Sequence, residues 1–232
     1  MSSSELNELG LPVGLPVEGE YPRPRPPHSL LQGQYGDLVP LAPQHAEGLF
    51  DAMALDRDGR GWTYMPIGPW QSLEDAKTWV TQHAALEDPL FYVVRDTHGR
   101  PLGFCSYLRI TPAVGTIEVG WIRYSPALQR TRLATEAMYL MMRHVFEDLG
   151  YRRYEWKCDA LNAPSKAAAE RLGFTYEGTF RQATITKGRN RDTAWFSILD
   201  SEWPALKARL ENWLAPTNFT SDGQQKRRLQ DI

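Results

Sequence analysis

The chain has 232 residues, of which 42% are hydrophobic and 23% charged, with a formal net charge of −2, so it has enough length for one full core plus appendages. That near-neutral balance excludes the broad basic surface a general nucleic-acid binder needs, leaving only local basic patches for single phosphates. No apolar run approaches the roughly 20 residues that span a bilayer, and no basic stretch leads into an apolar core near Met1, so no membrane partner and a cytoplasmic location are expected.

Residues 1–34 are rich in Pro, Gly, Ser and Glu and include Tyr21-Pro22-Arg23-Pro24-Arg25-Pro26-Pro27. Such a stretch buries too little apolar surface to order itself, and reads as an extended arm, mobile or wrapped over the body. The folded domain is expected over residues 35–214, with a polar, frayed tail at 215–232. Residues 38–41 read as a short strand. Pro43 suits a first helical turn, and Ala46, Leu49, Phe50 and Met53 follow at helical spacing. Ser72 with Asp75 three residues on reads as a capping box for a second helix. Between these helices, residues 61–70 form a loop with three aromatics and two prolines, suited to lining a pocket or packing onto the core.

Residues 90–95 and 101–110 are strand-like and joined by Asp96-Thr97-His98-Gly99-Arg100, a hairpin-turn composition. A third strand follows at 116–124, whose alternation places Thr116, Glu118 and Gly120 opposite Ile117, Val119 and Trp121. Then come a helix at 133–149 stopped by Gly150, a strand at 151–158 and a short helix from Asn162 to Leu172. Strands at about 175–183 and 192–200 precede a last helix capped by Ser201. A meander followed by β-α-β implies a mixed sheet covered by helices, an α/β (α+β) fold.

Cys105 and Cys158 lie in strand-like runs without CxxC spacing, and His28, His45, His83, His98 and His144 are scattered, with no HExxH. Buried reduced thiols and no metal site are expected. No GxxxxGK[ST] occurs, which removes the P-loop nucleotide enzymes.

The segment Ser125–Ala137, SPALQRTRLATEA, carries the most functional information. A strand ends at Ser125-Pro126, a basic turn follows, and a helix begins near Leu133. The first N–H groups of a helix lack internal partners and sit at the positive end of its dipole, so they suit a phosphate or pyrophosphate. Arg130 and Arg132 add guanidinium forks that pair bidentately with phosphate. A merely solubilising basic turn is the alternative.

This segment, the order of elements and LNAPSKAAAERLGFTYEG further on resemble the GCN5-related N-acetyltransferases, specifically the RimJ/RimL-like branch, over about residues 35–200. The resemblance implies a mostly antiparallel mixed sheet of about seven strands, splayed in the middle for acetyl-CoA. It implies a pyrophosphate loop on Gln129, Arg130, Thr131, Arg132, Leu133, Ala134 and Thr135, with Arg132 where the family carries glycine. Backbone groups of Ile122, Arg123 and Tyr124 would pair with the pantetheine amides. Asn162 would bind that arm and Ser165 would protonate the leaving thiolate, although Asn162 also suits a helix N-cap.

The implied function is acetyl transfer from acetyl-CoA to a primary amine, a peptide or protein N-terminus or a small amine, by direct attack. The strand position where the branch often carries a catalytic glutamate holds Thr184, which is no base near neutral pH. Glu118 and Asp159 are the candidate bases, with a structural ion pair the alternative for Glu118. A catalytically silent acyl-CoA-binding module is the competing function. The charged hairpin Arg181–Asp192 and loop 61–70 would border the acceptor, and the Pro-rich arm could cross to a second copy in a homodimer.

Overall fold

The computed structural model describes residues 4–232. Leu90, Phe91, Tyr92, Val93 and Val94 are buried in succession, the signature of a strand covered on both faces. That strand, β5 (Leu90–Asp96), follows β1 (Ser4–Leu6), β2 (Pro12–Gly14), β3 (Leu31–Gln32), β4 (Gly36–Pro40), α1 (Ala46–Ala54) and α2 (Leu73–Ala84). Then come β6 (Pro101–Thr111), β7 (Thr116–Tyr124), α3 (Arg132–Arg143), β8 (Arg153–Asp159), α4 (Ala163–Leu172), β9 (Thr175–Thr186), β10 (Arg189–Leu199) and α5 (Trp203–Leu214). The main sheet has eight strands, one more than expected, in the order β3-β4-β5-β6-β7-β8-β10-β9. Among the described residues only β7 and β8 run parallel, because α3 carries the chain back across the sheet between them.

The two faces are covered unequally. Helices α3 and α5 pack on one face over Tyr92, Tyr107, Ile117, Val119 and Tyr154. On the other, α1, α2 and Trp62 pack over Phe91, Val93 and Phe104, leaving the β8–β10–β9 side of that face without a helix.

Between Val119 and Arg123 the register of β7 slips. Arg123 pairs with Phe104 and Gly120 with Ser106, so β7 spends three steps where β6 spends two, and Trp121 takes a left-handed φ of 50°. The bulge overturns the simple alternation. Trp121 joins Trp79, His83 and Phe91 on the α1–α2 face, with Phe91 at 5.6 Å, while Ile122 and Tyr124 turn to the α3 face.

Helix boundaries mostly follow local signals. Ser72 and Asp75 form the expected capping box. The 133–149 helix instead ends as α3 at Arg143 and continues through a π turn, His144–Asp148, before Gly150 turns at φ 66°. Ser201 does not cap α5: Glu202 holds that position without a side-chain cap and instead accepts from the Leu199 N–H.

Both termini lie against the domain more than composition suggests. Leu31 is buried and β3 pairs with β4, while the Arg23 N–H donates to the Pro112 carbonyl and the Tyr92 hydroxyl to that of Pro27. Only the β1–β2 hairpin stands off the body. The frayed C-terminal tail is not found: Phe219 bridges to Gln225, Gln225 accepts from the Trp213 indole, and Leu229 is fully buried. A few apolar side chains suffice to anchor a segment whose average composition is polar.

Leu229→Ala is expected to destabilise the protein by about 2–5 kcal/mol, as for other buried leucines. Urea unfolding monitored by circular dichroism measures this, and a midpoint equal to wild type would show that the tail contributes no core.

Candidate active site

The site begins where β7 and β8 part. Their ladder runs from Thr116–Arg153 to Val119–Trp156 and stops, although β7 continues to Tyr124 along β6 and β8 to Asp159 along β10. Parallel strands that diverge leave facing backbone groups without ladder partners, and buried polar groups of that kind require another partner. Part of this edge is already engaged: the Tyr124 carbonyl accepts from the Gln129 side chain at 3.0 Å and from the Arg123 guanidinium at 2.6 Å.

At the open end stands the N-terminus of α3. Thr131 is its N-cap and accepts from the Ala134 N–H at 3.1 Å, leaving the Arg132 and Leu133 N–H groups without an intrahelical acceptor. Arg130 takes φ 61°, so the left-handed turn falls here and Arg132 begins the helix in ordinary geometry. The Arg132 side chain does not reach out from the loop as an isolated fork; its guanidinium lies 4.6 Å over each of the Tyr35 and Phe219 rings, which meet edge to face at 6.4 Å. Leu133 packs inward, and Thr135 accepts from Arg171, tying α3 to α4. A hollow of ≈ 390 Å³ beside the loop is lined by Tyr35, Thr97, Leu102, Ala127, Thr131 and Arg132.

Opposite faces of the sheet carry different chemistry at the fork. On the α4 face, Trp156 and Cys158 point toward Ser165. The Trp156 indole donates to Ser165 Oγ at 3.0 Å, which leaves the hydroxyl hydrogen to be given elsewhere. Burial pushes the Cys158 thiol up, with the Ser165 hydrogen bond working against it. Asn162 accepts from the Ser165 N–H and N-caps α4.

On the other face, Glu118, Lys157, Asp159 and Trp195 line up. Lys157 Nζ lies 2.9 Å from Glu118 Oε2 and 3.7 Å from the Trp195 ring centroid, and Arg109 donates to the same Oε2 at 2.6 Å. Glu118 Oε1 lies beside Gly120, where a Cβ would stand 3.4 Å from it and 2.9 Å from the Leu108 side chain, so this carboxylate is closely packed as well as buried. The ion pairs continue outward through Glu155, Arg153 and Glu177. Burial pushes the Glu155 carboxyl up, but Lys157 and Arg153 outweigh it and hold it below its ordinary value. Asp159 instead accepts from the Leu161 N–H and closes the turn into α4. Thr184 lies exposed on β9.

Loop 61–70 closes the rim. Tyr64 donates its hydroxyl to the Leu161 carbonyl at 3.0 Å, and Lys187 donates to the Trp62 carbonyl at 2.8 Å, so the loop meets both the β8–α4 turn and the β9–β10 hairpin. Its base is held by Arg123, whose buried guanidinium pairs with Asp56 at 2.7 Å and lies 4.6 Å over Trp62. Burial lowers the Arg123 pKa and Asp56 opposes it. A Cβ on Gly61 would come within 2.7 Å of that guanidinium and 2.9 Å of Asp56, so any larger residue there would have to displace the ion pair. Nearby, the Trp195 indole and Arg191 Nε are buried without protein partners.

Residue types alone did not single out Lys157, Trp156 or Asp56. For the first two the signal was present: in Arg153–Asp159 the charged residues alternate with Tyr154, Trp156 and Cys158, which sorts them onto two faces. For Asp56 no local signal exists, because its partner is 67 residues away.

Over residues 37–175 the chain matches the acetyltransferase (GNAT) domain. The chain belongs to the GNAT acetyltransferase family. A GCN5-related N-acetyltransferase from Brucella melitensis is 46% identical, with a TM-score of 0.90 over 92% of this chain and 98% of that one. The ribosomal-protein-serine acetyltransferase of Escherichia coli K12 is 25% identical over 72% of this chain and 94% of its own length. RimL, a ribosomal L7/L12 alpha-N-protein acetyltransferase solved in complex with coenzyme A, shares the fold at 19% identity and a TM-score of 0.62 over 75% of this chain and 99% of its own. Among the family's N-acetyltransferases, the curated ribosomal-protein relatives support the RimJ/RimL-like branch for this chain.

Asp56→Ala would leave the Arg123 charge buried and unpaired, and is expected to cost the GNAT domain about 3–5 kcal/mol. Guanidinium unfolding checks this; a loss below 1 kcal/mol would mean the pair does not hold the rim.

Proposed function

We propose that this protein transfers the acetyl group of acetyl-CoA to the terminal amine of a peptide. The observation that carries the reading is the placement, on opposite faces of one fork, of a hydroxyl oriented by Trp156 and a carboxylate held by Lys157 and Arg109. Direct transfer needs the thioester sulfur and the attacking amine to approach from different sides.

The residues fit the donor. The Arg132 and Leu133 N–H groups suit a pyrophosphate, Arg130 adds a cation, and the free edge of β7 near Ile122 and Arg123 suits an extended amide-bearing arm. Acetyl-CoA supplies the activated acyl group. Ser165 gives its hydroxyl proton to the departing thiolate, while Trp156 keeps the oxygen in position. Glu118 Oε1 takes the amine proton, with Oε2 anchored by its two cations. Backbone N–H groups on the open edge of β7 polarise the carbonyl. On the acceptor side, Trp195 and Arg191 offer donors, and Tyr64 and Lys187 limit the rim. The Escherichia coli relative, named for acetylating a ribosomal-protein serine, supports a peptide rather than a small amine as the acceptor.

Ser165→Ala and Glu118→Gln are each expected to lower kcat on the order of 100-fold, the usual scale for a positioned acid or base, with little change in acetyl-CoA affinity. CoA release against a panel of peptides with varied first residues, and against free amines, checks both; turnover at the wild-type rate in either variant removes that residue from the mechanism.

Arg130→Ala is expected to weaken CoA about tenfold, the loss of one charge-assisted contact. Calorimetry with CoA and dephospho-CoA measures it, and unchanged affinity for both would place Arg130 away from the phosphates.

A further inference from the structure

The β1–β2 hairpin is the most anomalous surface of the chain. A lone two-stranded hairpin is marginal in water, yet this one touches no other element appreciably. It presents Leu6, Leu9, Leu11 and Val13 to solvent, with Leu15 and Val17 just beyond, and Leu9 is 81% exposed. The register pairs Leu6 with Pro12 and Glu5 with Val13, so both faces of the hairpin carry exposed apolar side chains, and so much uncovered apolar surface marks a contact surface. Its charge has one sign: residues 4–20 hold Glu5, Glu8, Glu18 and Glu20 and no Lys, Arg or His.

At the far edge of the main sheet lies a surface of the opposite kind. Strand β9 has a neighbour only on the β10 side, and it exposes Tyr176, Phe180 and Ile185, the last by 77%. Around these stand Arg181, Lys187, Arg189 and Arg191. Among the described residues none of the four is in an ion pair, and the nearby acids are already engaged, Asp192 by the Gln182 N–H and the Asn190 amide and Glu177 by Arg153. A bulge at Gln182, φ 49°, bends the edge away from a flat template and opens a hollow of ≈ 730 Å³ lined by Phe180, Arg181, Gln182, Ala183, Asn190 and Asp192.

We propose that the acidic, apolar β1–β2 hairpin of one copy docks on the basic, apolar β9 edge of a second copy, and the reverse, in a closed two-fold dimer. Charge complementarity selects the occupant, since each surface carries the sign the other lacks. Because the bulge spoils open-ended strand addition, reciprocal exchange satisfies both surfaces at once. Residues 15–22, between the hairpin and the anchor at Arg23, span up to about 27 Å when extended, enough to cross a subunit boundary. The β9–β10 hairpin also contacts loop 61–70 through Lys187, so the partner's arm would form an outer wall of the acceptor rim.

Sedimentation equilibrium tests the exchange without reference to activity. Wild type is expected at twice the chain mass and a variant lacking residues 1–20 at the chain mass, with unchanged circular dichroism because the hairpin supports nothing in its own domain. Glu5→Arg/Glu8→Arg and Arg181→Glu/Arg189→Glu should each be monomeric, and mixing them should restore a dimer, since the reversed arm of one then meets the reversed edge of the other. A monomeric wild type, a dimer that persists after any of these changes, or failure of the mixture to associate would overturn the proposal; a monomer that binds a different protein through the arm counts among those outcomes.

Discussion

The candidate site depends on β7 and β8 being held together for four residue pairs and then forced apart. The cause of the separation is the bulge at Trp121, which adds one residue to β7 while its ladder with β6 is preserved. An added residue increases local twist, and twist turns the end of β7 away from β8. Ladder bonds forgone at the end of the strand are what make the open edge available to a ligand.

The same bulge organises the rim formed by loop 61–70. By shifting the alternation by one residue it sends both Trp121 and Arg123 to the α1–α2 face. There Arg123 meets Asp56 and Trp62 and fixes the start of loop 61–70. A buried arginine of this kind adds little net stability, because desolvation offsets the attraction. Its effect is on position: with Gly61 closely packed against it, the loop has one way to sit. The ladder from Arg109 through Glu118 and Lys157 to Glu177 plays the corresponding role across the sheet, keeping one carboxylate beside the fork on a face that no helix covers.

Replacing glycine by arginine in the loop before α3 has a structural explanation. The left-handed residue is Arg130, whose conformation costs a non-glycine residue roughly 1–2 kcal/mol. Arg132 is conformationally ordinary, and its side chain is covered by Tyr35 and Phe219 from the two ends of the chain. The loop before α3 is braced by the ordered C-terminal segment through Phe219. That segment was misjudged from composition because Phe219 and Leu229 are isolated apolar residues in a polar stretch, and only packing shows that both face inward.

Strand and helix order from β4 onward, the caps at Ser72 and Asn162 and the strand–turn–helix form of the segment after β7 were legible in the sequence, because each rests on contacts within a few residues. So was the family, since two local motifs in one order carry it. What local sequence cannot express is a register slip or a partner far along the chain. The face on which Trp121 lies depends on the bulge, the role of Glu118 on Lys157 and Arg109 from two other strands, the surroundings of Arg132 on Tyr35 and Phe219, and the rim on Asp56 and Lys187. Sequence by itself determined which backbone elements form and which family they belong to; tertiary structure alone decided which side chains meet at the fork, because the energies that select those meetings are long-range pairings and burial.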